Sequence, residues 1–347
     1  MLSTAYPSSE YKFLDSLKPL LNFRRSRRYP IPIGDDAAIR TCLQGERLAL
    51  TSDSFVENVH FSFDYMTPAE AGFKAMAVNL SDCAAMGAQP DGALVQIIFP
   101  DAMDKREVER TIKGMYAGFN EACRKWRFAI IGGNLAKGPC WIIDITLIGR
   151  IRKGSRFLPR NRAKNNDGLW VSGRPGESGA GLACLLKLGD RKKIPIEYRR
   201  LVAKHVRPVP RIALGIGLSS NPYVHAAIDV SDGISKDSRT LAYENKLGII
   251  ISLDDKQCSK AMSRLASQLR TDWREWLFCG GEDYELLFAA SKSFDPLPLS
   301  RKFNVPITRI GTFSSTAKGL SVRDKAGQVR LLEKGGWDHL GQNALPY

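Results

Sequence analysis

Apolar and polar positions along the chain switch between two periods, and the switches mark out its elements. Phe13, Leu14, Leu17 and Leu21 recur at helical spacing and predict an amphipathic helix over residues 9 to 21, ended by an arginine run and two prolines. Ala37-Ala38-Ile39 and Leu48-Ala49-Leu50 read as neighbouring strands with aspartates at their ends, Asp35 and Asp36 on one and Asp53, within Thr51-Ser52-Asp53-Ser54, on the other. Thr67-Pro68 supplies an N-cap and a first-turn proline for a helix that runs to about Met86, before Gly87. Its later part, Ala75 to Met86, is almost wholly small and apolar, as in a buried helix. Asn79 and Asp82 share one face of it. A carboxylate buried there costs roughly several kcal/mol unless paired or metal-bound, so Asp82 is either half of a salt bridge or a ligand. Strands over Ala93 to Phe99, Phe128 to Ile131 and Trp141 to Ile151, with a helix over Asp104 to Lys125, complete the first half; Gly132-Gly133-Asn134 ends the second of these strands.

A polar, basic stretch from Asn161 to Asp167 is the expected boundary between two domains, residues 1–162 and 163–347. Beyond it, strand Leu169 to Ser172 leads through a Gly-rich turn, Gly173 to Gly181, into a helix over Leu182 to Leu188. That turn lacks both GxxxxGK[ST] and GxGxxG, which excludes a P-loop. An apolar run, Val224 to Ala227, precedes Ile228-Asp229-Val230-Ser231-Asp232-Gly233 and a helix from Ile234 to Ala242. Two carboxylates and a hydroxyl thus stand at a strand end opening onto a helix, where backbone N–H groups and the helix dipole favour phosphate. A turn capped by Ser or Asp is the other reading. Strand Gly248 to Leu253, a helical region to about Leu277, Gly280-Gly281-Glu282-Asp283 before strand Tyr284 to Ala290, and strand Ile307 to Ile310 follow. A short ribbon and Gly335-Gly336-Trp337-Asp338-His339 close the pattern.

Composition narrows the function classes. With 44% hydrophobic and 25% charged residues the chain is ordinary globular material. No apolar stretch approaches the roughly 20 residues of a membrane span, and the N-terminus lacks a signal-peptide core, so a cytoplasmic location is expected. Seven scattered cysteines without a CxxC pair read as reduced thiols, and four histidines without HxxxH spacing argue against zinc. A net charge of +15 fits a solvated surface, attraction of a small phosphorylated anion, or nucleic acid. Neither basic run, Arg24 to Arg28 or Arg191 to Lys193, carries interleaved aromatics, so neither nucleic acid nor membrane is the expected partner.

Against this basic background, acid is concentrated in five places: Asp35/Asp36, Asp53, Asp82, Asp229/Asp232 and Glu282/Asp283. Oxygen-only ligation suits a hard cation such as Mg²⁺, which commonly bridges carboxylates to substrate phosphates. No Ser-His-Asp or Cys-His pairing is legible and no lysine stands out for a Schiff base. Phosphoryl transfer tolerates that absence, because its catalysis is mostly positioning and charge neutralisation.

At these residues the sequence resembles the thiamine-monophosphate kinase family, within the superfamily typified by aminoimidazole ribonucleotide synthetase. The match runs through Ile33-Gly34-Asp35-Asp36, Thr51-Ser52-Asp53, Asn58-Val59-His60-Phe61, Ala77 to Asp82 with Ala84 to Ala88, and Gly132-Gly133. It continues in His205 to Arg211, Ile228 to Gly233, Gly280 to Phe288 and Gly336-Trp337-Asp338-His339. The resemblance implies an α/β (α+β) fold of two domains, with mixed sheets flanked by helices, that pairs as a homodimer. It also implies Mg²⁺- and ATP-dependent phosphorylation of thiamine monophosphate to thiamine diphosphate, with no protein nucleophile or general base. Carried over by motif, Asp36, Thr51, Ser52, Asp53, Asp82, Asp229 and Asp232 would hold several magnesium ions. Tyr116, Gly133, Asn134, Arg160 and Ser231 would contact ATP, and His60, Glu282 and Trp337 would line the thiamine site. Each has a plain structural alternative: packing beside Phe61 for His60, C-terminal packing for Trp337, a surface charge for Arg160. Where the family has Gly-Gly-Asp-Thr, this chain has Gly132-Gly133-Asn134-Leu135, which implies one weaker metal site, or a non-catalytic nucleotide- and thiamine-phosphate-binding protein of the same fold.

Overall fold

Residues 38–151 build a five-stranded sheet whose helices all lie on one face. Its elements are β1 (Ala38–Thr41), β2 (Arg47–Val56), α1 (Pro68–Met86), β3 (Gln89–Pro100), α2 (Lys105–Trp126), β4 (Ala129–Gly138) and β5 (Ile142–Ile151), and the strand order is β1-β2-β5-β3-β4. The computed structural model describes residues 6–9, 11–12, 30–31, 35–42, 45–254, 257–324, 326–332 and 335–336. Most of the helix expected over residues 9 to 21, the Arg24 to Arg28 run, Gly34 and Trp337-Asp338-His339 lie outside the described residues.

Alternation along β5 fixes the two faces of the sheet. Ile143, Ile145, Leu147 and Ile151 are buried against the helices, while Asp144 and Thr146 point the other way. α1 has the ends its sequence predicts: Thr67 and Glu70 close a capping box, and Gly87 ends the helix in the left-handed region at φ 70°. A side chain at Gly87 would also collide with Ser219, 2.5 Å from the Cβ position. α1 packs on the first sheet with one side and on the second half of the chain with the other. That double contact explains a helix apolar all round.

The second half carries β6 (Gly168–Ser172), α3 (Glu177–Leu188), α4 (Arg199–Val206), α5 (Ile212–Ser219), β7 (Val224–Asp229), α6 (Ile234–Asn245), β8 (Gly248–Ser252), α7 (Lys260–Leu269), α8 (Trp273–Cys279), β9 (Leu286–Ala290), α9 (Leu297–Phe303), β10 (Ile307–Ser314), β11 (Leu320–Arg323) and β12 (Val329–Leu331). Its seven strands are ordered β12-β11-β8-β10-β6-β9-β7, with β8 and β11 parallel and the other neighbours antiparallel. Edge strand β7 and helices α4 and α5 meet α1.

The fold corrects four boundaries. β2 continues to Val56, so Thr51 to Ser54 lie inside the strand; β5 pairs with it along that whole length, from Arg47↔Ile151 to Val56↔Ile142. Gly132 to Asn134 likewise sit inside β4, paired to Leu94, Val95 and Gln96 of β3. α3 begins at Glu177, five residues earlier than expected, because Asp283 accepts hydrogen bonds from the backbone N–H groups of Gly176 and Ser178 at its start. Gly181 within it allows close approach to α4, since a Cβ there would lie 2.1 Å from the Leu201 carbonyl oxygen. β9 starts at Leu286, after Glu282 and Tyr284 have turned through positive φ values of 54° and 51°.

Candidate active site

Asp36 precedes β1, Asp82 lies on α1 and Asp229 ends β7, so three segments distant in sequence each deliver one carboxylate to a single point. Each offers an oxygen, and the three oxygens lie within 4.8 Å of one another. They line a cavity of about 430 Å³ together with Thr51, Ser52, Asp53, His60, Arg160, Ser231, Asp232 and Glu282. Alternation in β2 turns Thr51 and Asp53 toward α1, where the Thr51 hydroxyl donates to Asp82 and Asp53 is hydrogen-bonded to Asp82. Ser52 and Ser54 face the open side of the sheet, bonded to Thr146 at 3.1 Å and to Asp144 respectively.

Burial, then mutual repulsion, sets the electrostatics. Burial pushes Asp82 and Asp229 well above the usual carboxylate range, reinforced at Asp82 by Asp53 and at Asp229 by Asp36. Burial also raises Asp53 to about 6 and Asp35 to about 7. Arg160 offsets part of the charge: its Nε and Nη2 fork onto Asp36 at 3.0 and 2.7 Å, and its backbone N–H donates to Asp35 at 3.0 Å. Lys236 pairs with Asp232 at 3.0 Å.

Asp82 makes no ion pair among the described residues and gathers hydroxyl and carboxylate neighbours instead, the surroundings of a ligand rather than of a salt bridge. The Arg160 side chain is 17% exposed and ion-paired, hence no surface charge. No Ser or Asp of the segment 228–233 takes the N-cap position of α6: Gly233 occupies it, with no side-chain cap. His60 does pack, stacked on Phe55 with its Nδ1 accepting from the Val56 N–H at 3.1 Å, yet it lines the cavity as well. Asn79 is buried, its amide donating to the Ala75 carbonyl.

One expected cluster divides. Asp283 is spent on the start of α3, whereas Glu282 reaches the cavity wall. Behind Glu282 stand Lys74, which lies outside the matched motifs, and His205, which opens the matched stretch His205 to Arg211 without an assigned role. The Lys74 ammonium, fully buried on α1, lies 2.8 Å from Glu282 Oε1, and His205 Nδ1 lies 3.4 Å from Oε2. A lysine in an otherwise apolar, buried helix was the available signal.

Three expected nucleotide contacts fall elsewhere. Tyr116 lies on α2, edge-on to Phe119, and Gly133 and Asn134 are exposed on edge strand β4. None of the three lines this cavity. Asn134 stands instead in a cross-strand row with Gln96, Asp144 and Ser54 on the open face of the sheet. A larger opening of about 900 Å³ between the C-terminus of α2, α5 and α9 is lined by Lys125, Arg127 and Lys302 but no carboxylate, so it offers no cation site.

Comparison with known proteins agrees with this geometry. Residues 34–151 match the family model of the AIR synthase related protein N-terminal domain. The thiamine-monophosphate kinase of Bacillus subtilis is 32% identical over 95% of this chain and 99% of its own, and that of Escherichia coli K12 is 34% identical over 88% and 91%. A solved structure of AaThiL complexed with AMPPCP and TMP superposes with a TM-score of 0.80, at 28% identity, over 96% of this chain and 97% of that one. Similarity at this level over nearly the whole of both chains places this one in the thiamine-monophosphate kinase family.

Proposed function

We propose that the protein transfers the γ-phosphoryl group of ATP to thiamine monophosphate, giving thiamine diphosphate and ADP, as a cytoplasmic enzyme acting as a homodimer with magnesium. The observation that carries the reading is the convergence of Asp36, Asp82 and Asp229 in a cavity whose far wall holds Glu282. A buried, oxygen-only donor set left short of internal cations fits hard divalent ions, with Thr51, Asp53 and Asp232 as further ligands and Ser52, turned to the open side of the sheet, serving a separate ion. Bound there, magnesium would neutralise the polyphosphate charge.

The chain's own residues divide the remaining work. Asp36, held by Arg160, and Asp82, held by Thr51, are fixed before any ligand arrives. Ser231, Gly133, Asn134, Tyr116 and Arg160 serve ATP. Glu282 and His60, with Trp337, serve the thiamine end, where an acceptor and aromatic faces suit a cationic ring. The acceptor is a phosphate oxygen, already ionised near neutral pH, so no side chain needs to remove a proton.

Dimerisation accounts for two of the displaced contacts. Tyr116 stands on the helical side of the sheet, whereas Gly133 and Asn134 lie apart from the carboxylates of their own chain, on a sheet face and edge exposing Leu94, Ile131 and Leu135. A second copy on that face would cover the apolar surface and bring Gly133 and Asn134 to a shared nucleotide. We assign residues 1–162 to the dimerising, nucleotide-binding domain and 163–347 to the domain that completes the site. The deciding assay incubates the protein with thiamine monophosphate and ATP, with magnesium or excess chelator. Thiamine diphosphate formed only with magnesium supports the kinase; nucleotide binding without turnover would favour the non-catalytic reading that Asn134 raises.

A further inference from the structure

We propose that Lys74 and His205 are positioning residues that hold Glu282 from behind as a fixed, anionic acceptor on the cavity wall, and thereby set affinity for thiamine monophosphate without affecting that for ATP. The inference rests on the substrate reading above and extends it to residues that touch no substrate.

Lys74 is 0% exposed on a helix of small apolar residues, so its charge has no solvated outlet. Its Nζ reaches three groups: Glu282 Oε1 at 2.8 Å, His205 Nε2 at 3.3 Å and the His60 carbonyl oxygen at 3.5 Å. Only Glu282 among these is an anion. A buried ammonium is tolerated when an anion lies against it, so the pair is mutually obligatory. Glu282 is built into the same corner by its backbone. It adopts a φ of 54°, and its N–H donates to the Ser231 carbonyl at 2.7 Å.

The ammonium also fixes the imidazole tautomer. Lys74 can only donate, so His205 Nε2 must accept, and the proton resides on Nδ1. That Nδ1–H faces Glu282 Oε2 at 3.4 Å and Ser178 Oγ at 3.3 Å. Burial, and then Lys74, push His205 down to about 3, which keeps the ring neutral as this arrangement requires. Each carboxylate oxygen of Glu282 therefore has one donor behind it. The side chain remains 23% exposed on the cavity side, where its free lone pairs can meet an amino group or a cationic ring. Because the same ammonium holds the His60 carbonyl, one lysine braces both described residues of the thiamine end.

Steady-state kinetics test this, beginning with the wild type. No thiamine diphosphate from the wild type would overturn the substrate reading itself; turnover allows the role of Lys74 to be judged separately. Lys74→Met is expected to raise KM for thiamine monophosphate about tenfold or more and to leave KM for ATP within about twofold. Adding Glu282→Gln to Lys74→Met should cost little more than either change alone, since both break one unit. His205→Leu should raise the same KM, and His205→Asn, whose amide can stand in for Nδ1–H, should restore most of it. An unchanged KM for thiamine monophosphate in Lys74→Met, or equal rises for both substrates, would overturn the proposal. Should Lys74→Met fail to fold, the His205 pair decides: equal KM values for His205→Leu and His205→Asn would overturn it.

Discussion

Asp229 and Glu285 are buried carboxylates on neighbouring segments, 3% and 1% exposed, and the protein treats them in opposite ways. Glu285 precedes β9 and is saturated with partners. Arg211 forks onto it with Nε at 2.6 Å, Lys204 approaches to 3.3 Å and the Ser172 hydroxyl donates at 2.6 Å. Although burial alone would raise it, these partners hold Glu285 down to about 2. Asp229, in register with Leu286 of β9, has Asp36 and Asp82 for neighbours and is pushed up. Where buried acid is structural the fold supplies partners, cations at Glu285 and backbone N–H donors at Asp283. Acid left short of cations marks the place reserved for an ion and its phosphates.

The comparison breaks most sharply at Glu285. Its pKa falls from 4.5 to about 2 on folding, worth roughly 3 kcal/mol. Because the folded value is depressed, that stability is complete above about 4.5 and disappears as pH falls toward about 2. Urea unfolding of Glu285→Gln should show a deficit of roughly 3 kcal/mol at pH 7 that narrows over this range. A deficit independent of pH would mean that packing, and not charge, holds the position.

Slightly smaller is the effect of an ion on the other cluster. Magnesium at about 100 times its Kd should stabilise the wild type by about 2.7 kcal/mol. Thermal unfolding against magnesium concentration should show this shift in Glu285→Gln and lose it in Asp82→Asn. Without magnesium, Asp82→Asn should be as stable as the wild type or about 1 kcal/mol more so, since it removes repulsion. A clear loss of stability there would make Asp82 structural. The smallest effect is expected at position 134. Asn134→Asp should lower the magnesium concentration needed for half-maximal turnover by about threefold or more, and an unchanged requirement would show that this position carries no ion.

Much of this was legible in the chain. Thr67, Pro68 and Gly87 mark both ends of α1 by local chemistry alone, and the acidic motifs identify the cavity wall because each combines carboxylates with a turn or a buried helix. The C-terminal half of β2 was not legible, since Thr51-Ser52-Asp53-Ser54 reads as a loop until β5 supplies its hydrogen bonds. The roles of Lys74 and His205 were missed for a related reason. A single lysine in a helix reads as a solvated charge, and its contact with a histidine 131 residues away exists only in three dimensions. The separation of Tyr116, Gly133 and Asn134 from the carboxylates was equally hidden, because a motif names a residue without saying where the fold puts it.

The most direct test of the contrast compares thiamine diphosphate formed from thiamine monophosphate and saturating Mg-ATP by wild type, Glu285→Gln and Asp82→Asn, at a temperature where all three are folded. The unpaired-acid account predicts product from the first two and a fall on the order of 10²- to 10³-fold for Asp82→Asn. Turnover by Asp82→Asn at the wild-type rate would contradict it.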